Sequence, residues 1–256
     1  MSGISISPKK LDLLLVAAQA AGCALLATRF HPPIIVTAAY MFVPPVVYLA
    51  LRARKQLGRD LLGAVLLGPV FGFMVEILGW TNNLWTYHDR WFFIPARLFG
   101  TPVDILVWCF LWALYLGFLY EHFFEPAGPR GVSKLYLPML LFALAGIGYM
   151  LLYPALFKIT NAYLIMGLFL LWPVAAALYW RRALVWSVVP AAALGLILNV
   201  AFEWASCTAG YWTFGAHYLG VVALGGCTLP VEEILFWVLV SPLVVLCNFL
   251  LFVKRA

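Results

Sequence analysis

Eight long apolar stretches follow one another along most of this 256-residue chain. They cover residues 11–28, 33–51, 61–80, 102–122, 135–154, 161–180, 183–204 and 230–252. A lipid bilayer is crossed by a helix of about 20 apolar residues, which is the length of these stretches. Because lipid offers no hydrogen-bond partner to an open sheet edge, such a chain is expected to be all-α. The sequence therefore predicts a polytopic transmembrane helical bundle of about eight helices, with seven as the alternative count.

Basic residues are divided unequally between the two ends of these helices. One side holds twelve: Lys9, Lys10, Arg52, Arg54, Lys55, Arg59, Arg130, Lys134, Arg181, Arg182, Lys254 and Arg255. The other side holds four: Arg29, Arg90, Arg97 and Lys158. Since positive loops stay in the cytoplasm, the sequence predicts a multi-pass cell membrane protein with both termini cytoplasmic. The scattered basic residues form no stripe that would follow a phosphate backbone, so no nucleic-acid partner is expected.

A pattern of carboxylates and aromatic residues occurs twice, 127 residues apart. The first copy consists of Glu76, Trp85-Thr86-Tyr87 and Pro102-Val103-Asp104. The second copy consists of Glu203, Trp212-Thr213-Phe214 and Pro230-Val231-Glu232, and it adds Glu233. The chain is therefore predicted to contain two tandem four-helix repeats, residues 1–124 and 135–256, joined by a Pro/Gly-rich linker at 125–134. Because each half has an even number of spans, the repeats are expected to be related by a pseudo-twofold axis along the membrane normal.

The repeat brings carboxylates to one predicted membrane face, and these are the candidate catalytic residues: Glu76, Asp104, Glu203, Glu232 and Glu233. Ionisable groups at membrane depth are costly and are generally functional. Asp104 has a structural alternative, because Thr101-Pro102-Val103-Asp104 is a typical capped helix start. Glu232 and Glu233 would point about 100° apart on a helix. One is therefore expected to face a cavity while the other pairs with a neighbour such as Asn199 or Glu203.

Aromatic residues are concentrated in two long external segments, about 81–101 and 205–229. Most of the Trp and Tyr residues are expected to be interfacial anchors. Six residues are candidates for substrate binding: Trp85, Tyr87, Asn199, Trp212, Phe214 and Trp237. Neighbouring carboxyl groups can act as proton donor and base, and aromatic faces stabilise a desolvated cation by on the order of 2 kcal/mol. This combination indicates alkene protonation, a carbocation held by aromatic rings, and deprotonation of an isoprenoid that arrives from the bilayer.

The segment from Glu203 through Trp212-Thr213-Phe214 to Pro230-Val231-Glu232-Glu233-Ile234-Leu235-Phe236-Trp237 resembles the membrane-embedded lycopene cyclase family of archaea, fungi and some bacteria. The resemblance is strongest over 199–240, weaker over 72–112 and topological elsewhere. It implies two fused cyclase domains and a redox-neutral intramolecular lyase or isomerase of carotenoid biosynthesis. Such an enzyme closes an ionone-type ring, β being expected, at the end of a linear carotene. Glu232 and Glu233 match the acidic pair of the family, where the first half has Asp104 alone.

Ring closure needs no cofactor, and the sequence has no dinucleotide-binding fingerprint and no metal-ligand spacing of cysteines. The expected partners are a lipophilic polyene substrate and membrane lipids, and self-association is left open. A disulfide between Cys207 and Cys227 is also left open by the spacing. Three other functions are alternatives: a carotenoid hydratase, a membrane terpene cyclase acting on another prenyl substrate, and a small-molecule transporter.

Overall fold

The computed structural model describes residues 8–52, 57–124, 131–215 and 217–253. Helices fill most of these ranges, and seven of them are long and apolar enough to cross a membrane. An eighth apolar helix, Tyr136–Leu152, is shorter, with 17 residues. The predicted all-α, multi-pass helical bundle is thereby confirmed. The predicted linker falls largely at 125–130, and Arg54 and Lys55 fall at 53–56, so both lie outside the described residues.

Within the described ranges, nine α-helices and three π-helical segments build the bundle. The helices are α1 (Pro8–Phe30), α2 (Ile34–Arg52), α3 (Leu57–Val65), α4 (Phe71–Thr81), α5 (Val103–Phe123), α6 (Tyr136–Leu152), α7 (Ala162–Leu170), α8 (Trp172–Ala209) and α9 (Ser241–Asn248) among the described residues. The π-helical segments are Leu66–Val70, Glu233–Val240 and Phe249–Val253. The first joins α3 to α4 in one membrane-length helix, and the other two flank α9 in another.

One predicted loop is wrong. Helix α8 runs for 38 residues and stays helical through Arg181 and Arg182, where the sequence analysis placed a break between two spans. The stretch 174–189 contains neither Gly nor Pro, and its Ala and Leu residues favour a helix. Arg also has a high helix propensity, so a pair of charged residues does not end the helix. The two predicted spans are nevertheless present as membrane-length stretches, Ala162–Trp180 and Val188–Ala209. A helix boundary that was not predicted lies at Leu171, and Pro173 stands in the first turn of α8, where its missing N–H costs nothing.

Short antiparallel strands occupy the two long segments that follow α4 and α8. They are β1 (Trp85–Tyr87), β2 (Arg97–Leu98), β3 (Thr101–Pro102), β4 (Trp212–Phe214), β5 (Val221–Leu224) and β6 (Cys227–Pro230). Strands β2 and β3 form one hairpin and β5 and β6 form another, each leading into the helix that follows. Strand β1 pairs with β4, which joins the two copies of the repeated motif.

The register of β1 and β4 is centred on a pair of threonines. Thr86 lies opposite Thr213, Trp85 opposite Phe214, and Tyr87 opposite Trp212. Exchanging the two copies leaves this register unchanged, as a twofold axis between the two threonines requires. The symmetry of the remaining bundle stays a prediction.

A disulfide joins Cys207, near the end of α8, to Cys227 at the start of β6, with their Cα atoms 5.6 Å apart. The pairing that the spacing left open is therefore present. It fastens the hairpin that leads to Glu232 and Glu233 to the helix that carries Glu203.

A polar cluster lies at the helix ends on the side of the bundle opposite the strands. Asp12 accepts hydrogen bonds from Tyr48 at 2.5 Å and from Arg52 at 2.9 Å, and it lies 2.8 Å from His122 Nε2. Nearby, Arg59 forms an ion pair with Glu121, and both side chains are buried. Because a buried charge without a partner is strongly destabilising, these pairs tie α1, α2, α3 and α5 together at this end.

Candidate functional site

A cavity of about 130 Å³ lies between α4, α5, α7 and the Glu233–Val240 segment. Its wall is mainly apolar, and five tryptophans contribute to it: Trp85, Trp108, Trp112, Trp212 and Trp237. Two carboxyl groups reach it, those of Glu76 and Glu233. None of the described lining residues is Lys, Arg or His. The cavity thus combines proton-exchanging groups with aromatic faces and lacks a fixed positive charge in its described wall.

Two of the π-helical segments form part of this wall. Such wide turns are rare in proteins and often occur at functional sites. In the Leu66–Val70 segment, a Cβ atom on Gly68 would lie 2.6 Å from the carbonyl oxygen of Cys109. Only glycine therefore allows this turn to touch α5, and the contact sets the position of α4 and of Glu76 beyond it.

Glu76 is held by the aromatic strand β1. Its side chain accepts a hydrogen bond from the Tyr87 hydroxyl at 2.7 Å and from Trp85 Nε1 at 3.3 Å, and the residue is 6% exposed. Burial, together with the neighbouring Glu76 carboxyl, raises the pKa of Tyr87 well above its usual range. The phenol therefore stays neutral and remains a donor to Glu76.

Glu233 enters the cavity from the π-helical segment and is 5% exposed. Its carboxyl group accepts a hydrogen bond from the Tyr163 hydroxyl on α7. Glu203 on α8 lies close enough to interact with Glu233 electrostatically, although it does not line the cavity. Within the described chain neither oxygen of Glu203 has a hydrogen-bond partner, since the indoles of Trp212 and Trp237 lie nearby without reaching hydrogen-bond geometry.

Asp104 and Glu232 anchor backbone and do not line the cavity. Asp104 accepts the amides of Phe93 at 2.8 Å and Ile94 at 3.1 Å, and Glu232 accepts the amide of Leu219 at 2.8 Å. Each buried carboxylate therefore holds the long segment that precedes its own helix. The capping interpretation of Asp104 is wrong in detail, because α5 starts with Pro102 at the cap position and has no side-chain cap.

The adjacent acids divide as the helix geometry predicted. Glu233 faces the cavity, and Glu232 pairs with a neighbour, which is the backbone of Leu219 rather than Asn199 or Glu203. The substrate-binding predictions divide as well. Trp85, Tyr87, Trp212, Phe214 and Trp237 line the cavity, whereas Asn199 does not.

Asn199 instead supports the backbone of the Glu233–Val240 segment. Pro242 has no N–H, so it cannot bond the carbonyl of Val238 in an α pattern or of Trp237 in a π pattern. Asn199 Nδ2 contacts these two carbonyls, at 3.1 Å and 2.9 Å. The Ser241 hydroxyl also donates to Trp237. The amide of Asn199 thereby stabilises the turn that carries Trp237 into the cavity wall.

Among the lining residues that sequence reasoning missed, three carry an indole or phenol group: Trp108, Trp112 and Tyr163. The two tryptophans lie four apart on α5 and pack against Trp237, with ring centroids 5.2 Å and 5.0 Å away. Their spacing is a signal that could have found them, because residues four apart share a helix face. Tyr163 has no such signal, since it belongs to neither copy of the repeated motif.

Comparisons of this chain with models of protein families, with curated proteins and with solved structures gave no match. The resemblance to membrane-embedded lycopene cyclases therefore stays a prediction that rests on the sequence motifs. Across the described ranges, no group of three or more His, Cys, Asp or Glu side chains could hold a metal ion. The polar side chains in the described wall carry carboxyl, phenol, indole, thiol, hydroxyl and amide groups.

Proposed function

We propose that this protein is a membrane cyclase of linear isoprenoid polyenes, acting on a lycopene-type end group to form an ionone-type ring. The observation that carries the proposal is the meeting of Glu76 and Glu233 in one aromatic cavity. One carboxylic acid donates its proton to the terminal alkene. The resulting cation closes on the next double bond, and a second carboxylate removes a proton from the ring. Atoms and electrons balance without an oxidant or reductant.

The aromatic wall supports a cationic intermediate. Trp108, Trp112 and Trp237 present indole rings to the same space, and indoles attract a nearby cation more strongly than other side-chain rings do. A Lys or Arg in this wall would repel the intermediate, and the described wall has neither. The aliphatic and aromatic side chains that make up most of the wall cannot capture the cation as nucleophiles.

The cavity volume supports a substrate that inserts one end. About 130 Å³ is similar to the engineered apolar cavity of about 150 Å³ that accepts benzene. The cavity is therefore about the size of one six-membered ring. The remaining polyene chain extends from the cavity toward lipid.

The disulfide supports the proposed orientation. Disulfides persist mainly in oxidising compartments, and Cys207–Cys227 lies beside the segments that carry the cavity acids. Most of the basic residues lie at the opposite helix ends, and two of the exceptions, Arg181 and Arg182, lie within α8. We therefore place the cavity near the outer face of the cell membrane, with the termini in the cytoplasm.

The test is pigment analysis of lycopene-accumulating cells that express the wild-type chain, Glu76→Gln, Glu233→Gln or the control Asp89→Asn. Asp89 lies in the same external segment as β1, and its side chain is 86% exposed. Cyclic carotenes are expected with the wild type and the control. Each Gln variant is expected to lower their formation about 100-fold or more, which is the usual contribution of a positioned acid or base.

Two results would change the assignment. Unchanged lycopene in cells that contain stably inserted wild-type protein would refute cyclisation of this substrate. An acyclic hydroxylated product would show that water captures the cation, and the protein would then be a hydratase.

A further inference from the structure

Tyr163 stands where the second half of the chain meets the cavity. It lies in the first turn of α7, is 4% exposed, and lines the cavity. Its ring packs edge-on against Trp85, with centroids 5.7 Å apart, and against Tyr218 at 6.1 Å. Its hydroxyl donates to Glu233 Oε2. The ring is therefore fixed from two sides. Among the described residues, the acceptor of the hydroxyl is the carboxyl group of Glu233, which is a proposed catalytic group.

In the part of the chain that the structure describes, the Tyr163 hydroxyl is the single hydrogen-bond donor to the Glu233 carboxyl group. Glu76, by contrast, receives two, from Trp85 and Tyr87. Because the last torsion of a Glu side chain is broad and roughly twofold, packing alone does not fix the carboxyl plane. The Tyr163 hydroxyl is thus the contact that selects one orientation for Glu233.

Internal repetition does not supply this phenol. The residue 127 positions before Tyr163 is Val36, and the counterpart of Tyr87 in the second copy is Phe214, which has no hydroxyl. The second half therefore brings a tyrosine from a different element to its cavity acid. As a result, each of the two carboxyl groups in the cavity has one tyrosine partner.

We infer that Tyr163 is a positioning residue that holds Glu233 for proton exchange with the substrate. With Oε2 engaged by the phenol, Oε1 is the oxygen that exchanges the proton. This inference rests on the proposed function for its consequence in turnover, but the contact between the two side chains is measurable without turnover.

The kinetic test compares Tyr163→Phe with the matched control Tyr218→Phe. Tyr218 packs against Tyr163, and its hydroxyl donates to the Leu84 carbonyl. Loss of the Tyr163 hydroxyl is expected to lower the cyclisation rate per inserted protein about 10- to 100-fold, as small misplacements of a reacting group do. The substrate concentration for half-maximal rate should stay unchanged, because the ring remains in the wall. The control should keep the wild-type rate.

The second test is infrared spectroscopy of the purified protein. The carboxyl bands of Glu233 are identified by their loss in Glu233→Gln. Tyr163→Phe should shift these bands as the hydrogen bond is lost, and Tyr218→Phe should leave them in place. Unshifted bands in Tyr163→Phe, or a rate equal to the wild type in an active system, would overturn the inference. A band shift in Tyr163→Phe, together with a wild-type protein that forms no cyclic product, would support the contact and refute the proposed function instead.

Discussion

Asn199 is expected to stabilise the bundle by satisfying backbone that Pro242 leaves without a donor. In Asn199→Leu, the Trp237 carbonyl keeps the Ser241 hydroxyl, whereas the Val238 carbonyl loses the donor that Asn199 supplies. A buried acceptor without a partner costs about 1–3 kcal/mol. Asn199 Oδ1 has no partner within the described chain, so its removal offsets part of that cost. The expected net loss in unfolding free energy is about 1–2 kcal/mol.

The assay is equilibrium unfolding of the purified protein in mixed micelles, followed by tryptophan fluorescence. Ser206→Ala is the matched control on the same helix. The Ser206 hydroxyl donates to the Phe202 carbonyl within α8, at 2.8 Å. When the hydroxyl is removed, this carbonyl can still accept the backbone N–H of the helix. The control should lower the unfolding free energy by less than about 1 kcal/mol, because one neutral hydrogen bond is lost.

A double substitution sharpens the test. With both Asn199→Leu and Ser241→Ala, the Trp237 carbonyl loses both of its side-chain donors. The combined loss should then exceed the sum of the single losses by about 1 kcal/mol. If Asn199→Leu is as stable as the wild type and the two changes are additive, the proposed support of the π-helical turn is wrong.

Three further outcomes are expected. Gly79→Ala would place a Cβ atom 2.2 Å from Trp85 Cζ2, so displacement of the indole should cost about 1–3 kcal/mol in unfolding free energy and lower cyclisation. By analogy with Tyr87 and Glu76 in the first copy, Phe214→Tyr should offer Glu203 a phenol donor and raise the unfolding free energy by about 1 kcal/mol, and a decrease would contradict this. Burial raises the pKa of Tyr211 to about 12, so ultraviolet titration should find a late tyrosine, and stability should fall between the usual pKa of about 10 and about 12, where the unfolded chain ionises first.

The sequence predicted the helical architecture well because membrane-length apolar stretches allow few other structures. It failed at Arg181 and Arg182, where charge suggested a loop but no residue there breaks a helix. The π-helical segments were also outside its reach. They depend on tertiary partners such as Gly68 against α5 and Asn199 against the Trp237 carbonyl, which lie far apart in the chain.

The candidate site was predicted in part for a similar reason. The repeated motif identified the acids, but chemistry alone does not separate a cavity-facing acid such as Glu233 from an anchoring acid such as Glu232. That distinction depends on which backbone amides the loops bring near. Tyr163 was missed because it reaches the site from α7, outside the repeat.

The pairing of β1 with β4 bears on how such a chain arises. A strand whose register is unchanged when its partners are exchanged can pair equally well with a second copy of itself. A single ancestral unit could therefore have closed this contact as a symmetric dimer. Fusion of two such units into one chain would keep the pairing of β1 with β4. The two copies would then no longer need identical sequences. The hydroxyl present at Tyr87 and absent at Phe214, on opposite strands of this pairing, is one place where the two copies of the motif differ.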